Sequence, residues 1–132
     1  METQTKTRPE RLPDLGYFTG TEHYYAHAGY TRHAFKYTDG IKHVAETAGA
    51  YWLLDVIFSH ADEIYKSRTI PAEQKRLLCC KLAVGSNNAA VFCITDGNDT
   101  VLAAQEIEYT DFPAQTIDVW VQNGVAMLPS EY

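Results

Sequence analysis

The spacing of apolar residues changes near Lys75, and this change constrains the fold more than any other feature of the sequence. Between Ile41 and Val56 apolar residues recur every three or four positions, which is the period of an α-helix. Between Leu78 and Val84 they recur at every second position, which is the period of a strand. A helical first half followed by a stranded second half predicts an α+β fold.

The main helix is predicted over about residues 39–60. Thr38 and Asp39 can each accept a hydrogen bond from the first amides of such a helix. Gly49 interrupts its middle, and glycine there favours a kink or a close contact with another backbone segment. We expect this helix to pack across the apolar face of a sheet.

The sheet is predicted from residues about 76–128, as four to five antiparallel strands. Turn residues separate its apolar segments at 85–88 and 96–99. Asn123-Gly124, between two apolar segments, is a strong signal for a two-residue hairpin turn.

A chain of 132 residues suits one domain with one core. Residues 1–14 are polar and contain two prolines, so we expect a flexible N-terminal arm before a single α+β domain at 15–132. No secretory signal is readable in the arm. The longest apolar segment, 48–58, is too short to span a bilayer. These features predict a cytoplasmic protein without membrane contact.

The cysteines Cys79, Cys80 and Cys93 form an odd set without C-x-x-C spacing. This pattern argues against a disulfide framework and against a zinc site. If segments 76–84 and 89–95 pair, Cys93 comes near the other two and a redox clip is an alternative. We interpret all three as small apolar residues with reduced thiols.

Charge is distributed unevenly along the chain, whose net formal charge is −6. Residues 82–132 contain seven carboxylates and no lysine or arginine, so this half carries −7. Such a surface disfavours direct nucleic-acid binding. Two interpretations stay open, namely solubility of the sheet and docking onto a basic partner. The predicted partner-binding residues are Glu106, Glu108 and Asp118.

Histidines and tyrosines are concentrated before the main helix, where Thr21 can cap a short helix over about 22–28. On such a helix His23 and His27 stand four residues apart, a spacing that suits a metal with His33 or His43 as a third ligand. Surface or capping histidines are the commoner outcome, so no metal and no cofactor is assigned.

Asp55 interrupts the apolar segment 50–58. We expect its carboxylate to be largely buried and bonded to a tyrosine hydroxyl, a histidine or a main-chain amide, because a buried charge needs a partner. It could tie the helix to the N-terminal segment, or act as an acid of raised pKa in a pocket.

Residues 109–113 follow a strand and precede a proline, a position where loops often contact ligands. A plain turn, with Asp111 bonded to local amides, is the alternative. The candidate ligand-binding residues are His23, Tyr24, Tyr25, Asp55, Tyr109 and Asp111. The sequence contains no phosphate-binding glycine loop, no G-x-S-x-G and no H-E-x-x-H, so no catalytic residue is assigned.

Three blocks of sequence together resemble a known family. They are Phe18-Thr19-Gly20-Thr21-Glu22-His23-Tyr24-Tyr25, then Tyr37-Thr38-Asp39-Gly40-Ile41-Lys42 through Ala48-Gly49-Ala50-Tyr51-Trp52-Leu53-Leu54-Asp55, and Gln105-Glu106-Ile107-Glu108-Tyr109-Thr110-Asp111-Phe112-Pro113 with the closing Leu128-Pro129-Ser130-Glu131-Tyr132. With these blocks the chain resembles the bacterial family catalogued as domain of unknown function 6876, from about residue 15 onwards. The resemblance implies a small protein of bacteria, plasmids and phages, and it implies no activity, cofactor or catalytic residue.

The leading hypothesis is therefore a non-enzymatic protein-binding or inhibitor module that presents an acidic sheet to a basic partner. Carriage on mobile elements favours an accessory role, such as interference with host defence. One alternative is a small-molecule or nucleotide binder with a pocket lined by the histidine- and tyrosine-rich segment. Another is a metal-dependent hydrolase built on His23, His27, His43 and Asp55.

Overall fold

Seven strands and two α-helices make up the fold in the part of the chain that the structure describes. This structure is a computed structural model, and it describes residues 8–29 and 31–132. The elements are β1 (Tyr24–Ala26), β2 (Lys36–Thr38), α1 (Asp39–Thr47), α2 (Tyr51–Lys66), β3 (Leu78–Val84), β4 (Ala90–Thr95), β5 (Val101–Ile107), β6 (Thr116–Gln122) and β7 (Val125–Met127). Short 3-10 turns lie at Leu15–Tyr17, Ala72–Lys75 and Pro129–Glu131. The α+β class is confirmed.

The predicted single helix over about 39–60 is two helices in the structure. Thr38 caps α1, and its hydroxyl accepts a hydrogen bond from the amide of Ile41 at 3.4 Å. Gly49 then adopts a φ of 61°, which ends α1 because only glycine adopts this left-handed conformation without strain. The second helix begins at Tyr51 and extends beyond the predicted end, to Lys66.

The sheet has the order β1-β2-β7-β6-β3-β4-β5. Its neighbours pair antiparallel except β2 and β7, which are parallel. Strands β3 to β7 confirm the predicted stranded segments within 76–128. The prediction of four to five strands was wrong in number, because β1 lies in the segment predicted as a short helix and β2 lies before the main helix, outside the predicted sheet.

The hairpin predicted at Asn123-Gly124 is confirmed. Both residues have positive φ, at 52° and 77°, as a turn matched to the twist of two strands requires. A Cβ atom at position 124 would lie 3.2 Å from the carbonyl oxygen of Ala34. Glycine is therefore favoured there by conformation and by close packing.

One face of the sheet packs against the helices and holds the core. Leu78, Cys80 and Leu82 of β3 are fully buried on this face, as are Ile57 and Phe58 of α2. The alternate residues of β3 and β4 belong to the opposite face, which is more exposed. We call this second face the open face.

Residues 8–10, which belong to the predicted N-terminal arm, run beside the start of β6. The amides of Gln115 and Thr116 donate to the carbonyl oxygens of Pro9 and Glu10, at 2.8 and 3.1 Å. Residues 1–7 of the predicted arm lie outside the described residues. No helix within the described ranges is long and apolar enough to cross a membrane.

The cysteines occupy the neighbouring strands β3 and β4. Cys93 pairs with Lys81, and Cys79 lies opposite Thr95, so the three cysteines are neighbours in the sheet as the predicted hairpin implied. All three cysteines are free. Burial raises the pKa of the Cys79 and Cys80 thiols, which keeps them protonated and unreactive near neutral pH.

Candidate functional site

The short helix predicted over about 22–28 is absent, and strand β1 (Tyr24–Ala26) lies there instead. Tyr24–Ala26 form β1, the edge strand that pairs with β2. His23 and His27 stand at the two ends of this strand, so the four-residue helical spacing that suggested a metal pair does not exist. Within the described residues no group of three or more His, Cys, Asp or Glu side chains is placed to hold a metal ion.

Asp39 is the residue on which His23 and Tyr25 converge, whereas the sequence pattern indicated it only as a possible helix cap. Its carboxylate accepts hydrogen bonds from the Glu22 amide at 3.0 Å and from the Tyr25 hydroxyl at 2.9 Å. His23 Nδ1 lies 3.7 Å away. Hydrogen bonds lower the pKa of Asp39, and the bond from the Glu22 amide has the largest effect. The hydrogen bond to Asp39 also raises the pKa of Tyr25. Tyr24 is exposed and takes no part in these contacts.

Glu131 makes a second carboxylate contact with the start of α1. It accepts hydrogen bonds from the Thr38 hydroxyl at 2.6 Å, the Gly40 amide at 3.0 Å and the Leu128 amide at 2.9 Å. A carboxylate at this end of a helix satisfies free amides and complements the helix dipole. The three blocks that carry the family resemblance therefore meet at the N-terminus of α1.

We expect Glu131→Ala to lower the free energy of unfolding by about 2 kcal/mol, because three donors lose their acceptor at once. Urea denaturation followed by circular dichroism measures this loss. Glu73→Ala is the matched control, since Glu73 is exposed. Equal stability of the two variants would contradict the capping role.

Asp55 is exposed, and the expectation that it is largely buried was wrong. Its side chain is 68% accessible, and its contact with the N-terminal segment is His27 Nε2 at 3.4 Å. Tyr51, Asp55, Ser59 and Glu63, spaced four residues apart, form the exposed stripe of α2. Burial lowers the pKa of His27, and the opposing effect of Asp55 is smaller.

The buried acid of α2 is Asp62, which sequence reasoning missed. Its side chain is 11% accessible and accepts three hydrogen bonds from the loop before β2. The donors are the amides of Arg32 and His33, at 3.1 and 3.0 Å, and His33 Nδ1 at 2.6 Å. Burial alone raises the pKa of Asp62, but these hydrogen bonds outweigh it, so the pKa lies below its usual value. Asp62 is therefore ionised and holds the loop on α2.

The predicted loop site at Tyr109 and Asp111 is a surface turn clamped by Arg8. The guanidinium of Arg8 donates to the carbonyl oxygens of Phe112 and Thr110, at 2.6 and 2.9 Å. Tyr109 and Asp111 are exposed and line a depression of about 350 Å³ beside Arg8. A hydrogen bond from a local main-chain amide was expected for Asp111. Thr110 makes it instead, and its hydroxyl accepts a hydrogen bond from the Phe112 amide at 3.1 Å.

The three residues predicted to bind a partner, Glu106, Glu108 and Asp118, do not lie together on the sheet. Glu106 lies on edge strand β5, where it pairs with Val91, and Glu108 follows the same strand. Asp118 lies on β6, with β3 and β4 between it and β5, which is about 14 Å at the usual strand spacing. Asp118 also pairs directly with Lys81. The sheet therefore separates Asp118 from the other two residues.

The acidic hairpin, as we name residues 90–108 with β4 and β5, contains four of the seven carboxylates of residues 82–132, two at each end. Its turn contains Asp96 and Asp99, and its far end contains Glu106 and Glu108. Asp96 accepts hydrogen bonds from the amides of Asn98 and Thr100 within the turn. Among the residues with described positions, no lysine or arginine forms an ion pair with these four carboxylates.

Comparison with known proteins gives one match. A family model described as a family of unknown function, DUF6876, matches residues 10–132, a range that includes every helix and strand of the fold. No curated protein and no solved structure matches the chain.

Proposed function

Because the chain belongs to DUF6876, a family of unknown function, we propose its role from the surface alone: it is a non-enzymatic protein-binding module that presents the acidic hairpin to a basic partner. The observation that carries this proposal is the position of the hairpin. Its outer strand β5 is the last strand of the sheet, and seven residues long. Its four carboxylates have no cationic partner in the described chain.

Exposed apolar residues lie beside this charge. Val91 is 51% exposed on the open face, and Val101 is 60% exposed at the start of β5. Protein interfaces combine an apolar centre with a polar rim, and charges at the rim mainly set the rate of association and the choice of partner. The opposite edge strand, β1, has only three residues, so the hairpin offers the longer edge for main-chain pairing.

The test compares two charge reversals of equal size in a binding assay. The protein is used at low salt to capture partners, and a purified candidate partner is then titrated against each variant. The double variant Glu106→Lys and Glu108→Lys should weaken binding by about tenfold or more, because two carboxylates that attract a basic partner become two cations that repel it.

Asp55→Lys with Glu73→Lys is the matched control, because both residues are exposed and lie outside the hairpin. This control should retain binding. The proposal fails if both variants lose binding equally, which would indicate a response to net charge, or if no partner is recovered at low salt.

A further inference from the structure

A cavity lies where the end of α2, the loop before β2 and the β6–β7 turn meet. Its volume is about 400 Å³, within the range of small-molecule sites. Its lining residues are His33, Ala34, Tyr65, Lys75, Asn123 and Gly124. The cavity shares no residue with the acidic hairpin, so a ligand bound there is independent of the proposed protein-binding surface.

The orientation of the His33 ring is fixed by Asp62. Because Asp62 is ionised and can only accept hydrogen bonds, the Nδ1 atom 2.6 Å from it carries the proton. Nε2 is then the ring nitrogen with the lone pair, and it donates to an acceptor once it carries a proton. The His33 side chain is 43% exposed, and the ring packs edge-on against Tyr65 with 5.3 Å between ring centroids.

Lys75 is held in the wall of the same cavity. Its Nζ donates to the carbonyl oxygens of Tyr65 and Ser67, at 3.1 and 2.6 Å, which fixes the ammonium against the end of α2. An ammonium has three N–H donors, so one is left for a ligand. The Tyr65 hydroxyl, which also belongs to the lining, accepts a hydrogen bond from the Gly124 amide at 3.2 Å.

The charges that face this cavity favour an anion. Lys75 is cationic, and the only carboxylate in contact with His33 among the described residues is Asp62, whose two oxygens are already used by three donors. The segment 66–81, which contains Lys75, has five basic residues and one acidic residue, the reverse of the balance in residues 82–132. A small oxyanion could bridge an imidazolium and an ammonium at charge-assisted hydrogen-bond distance.

We propose that this cavity binds a small oxyanion, a phosphate or a carboxylate, between His33 Nε2 and Lys75 Nζ. The anion is bound by the doubly protonated ring, in which Nε2–H donates to the anion while Nδ1–H donates to Asp62. No covalent bond forms or breaks. Tyr65 and Asn123 complete the wall and set the size of the anion.

The experiment titrates sodium phosphate, and in parallel sodium acetate, into the full chain at constant ionic strength while the imidazole signals are followed by NMR. The signal that disappears in His33→Phe identifies His33. We expect a saturable shift of this signal with phosphate, acetate or both, and the anion that saturates first distinguishes the two ligand classes.

Two lysine variants separate a built site from general attraction of anions. Lys75→Met should weaken anion binding about tenfold or more, through the loss of a charge-assisted hydrogen bond. Lys42→Met removes the same charge from α1, where Lys42 lies over the Tyr25 ring, and should leave binding unchanged. If Lys75→Met is unfolded by circular dichroism, Lys75→Gln takes its place and should also weaken the saturable shift of the His33 signal. The proposal is overturned if the His33 signal does not shift saturably with either anion, or if both lysine variants weaken binding equally.

Discussion

Phe58→Ala should lower the free energy of unfolding by about 4 kcal/mol, the largest effect that we expect from a single substitution in this chain. Phe58 is fully buried on α2. Its ring stacks on Phe35 at a centroid distance of 4.7 Å and packs against His27 at the same distance. Truncation leaves a cavity where the helix, the loop before β2 and the segment after β1 meet.

Urea unfolding measured by tryptophan fluorescence and circular dichroism gives this loss. Tyr17→Ala is the matched control, because Tyr17 is highly exposed and its removal should change stability by less than about 0.5 kcal/mol. Phe58→Leu should recover part of the loss, since it refills part of the volume. A Phe58→Ala protein as stable as the control would show that α2 does not pack on the sheet as described.

Asp62→Ala should cost about 3 kcal/mol near neutral pH, because two main-chain amides and the His33 ring lose a charged acceptor together. The exposed Asp55, on the same helix, is the control, and Asp55→Ala should cost well under 1 kcal/mol. Denaturant unfolding of both variants and the wild type tests the contrast. Equal losses would contradict the assignment of Asp62 as the buried acid.

The cost of Asp62→Ala should also depend on pH in one direction. The folded-state pKa of Asp62 lies below its usual value, so its contribution is present above about pH 4 and is lost as pH falls through the folded-state pKa. The difference in stability between the wild type and Asp62→Ala should therefore shrink when unfolding is measured at decreasing pH below about 4. A difference that grows on acidification would contradict this linkage.

The elements that sequence reasoning predicted correctly are those specified by local chemistry. Asn123-Gly124 forms a hairpin turn, because both residues need positive φ whatever the rest of the chain does. Gly49 was expected to kink one long helix or to contact another backbone segment, and its φ of 61° instead ends α1. The alternating segments after Lys75 became strands because their apolar residues line one face of the sheet.

The errors arose where partners distant in sequence decide the structure. Thr21 was expected to cap a short helix over about 22–28. Its hydroxyl instead accepts a hydrogen bond from the Asp39 amide and donates one to the His23 carbonyl oxygen. The adjacent tyrosines, which favour strands, then pair with β2. The cavity lined by His33, Tyr65 and Lys75 could not be anticipated, because its walls come from three separate parts of the chain.

The exposure of Asp55 on α2 could have been predicted from the spacing of its polar neighbours. Asp55 belongs to a stripe at four-residue spacing with Tyr51, Ser59 and Glu63, and this stripe predicts exposure. The aromatic Tyr51 concealed it, because the segment then looked apolar on every side. Asp62 has no such signal, since its burial depends on the loop that contains His33.

The parallel pairing of β2 with β7 also sets the order in which the protein can fold. Lys36 pairs with Val125, so β2 has no place in the sheet until the chain has been synthesised through that residue. The meander of β3, β4 and β5 needs only short loop closures and is expected to form early, whereas this distant pairing has a high contact order and is expected to form late. The edge of the sheet made by β1 and β2 can therefore join β6 only after β7 has been synthesised.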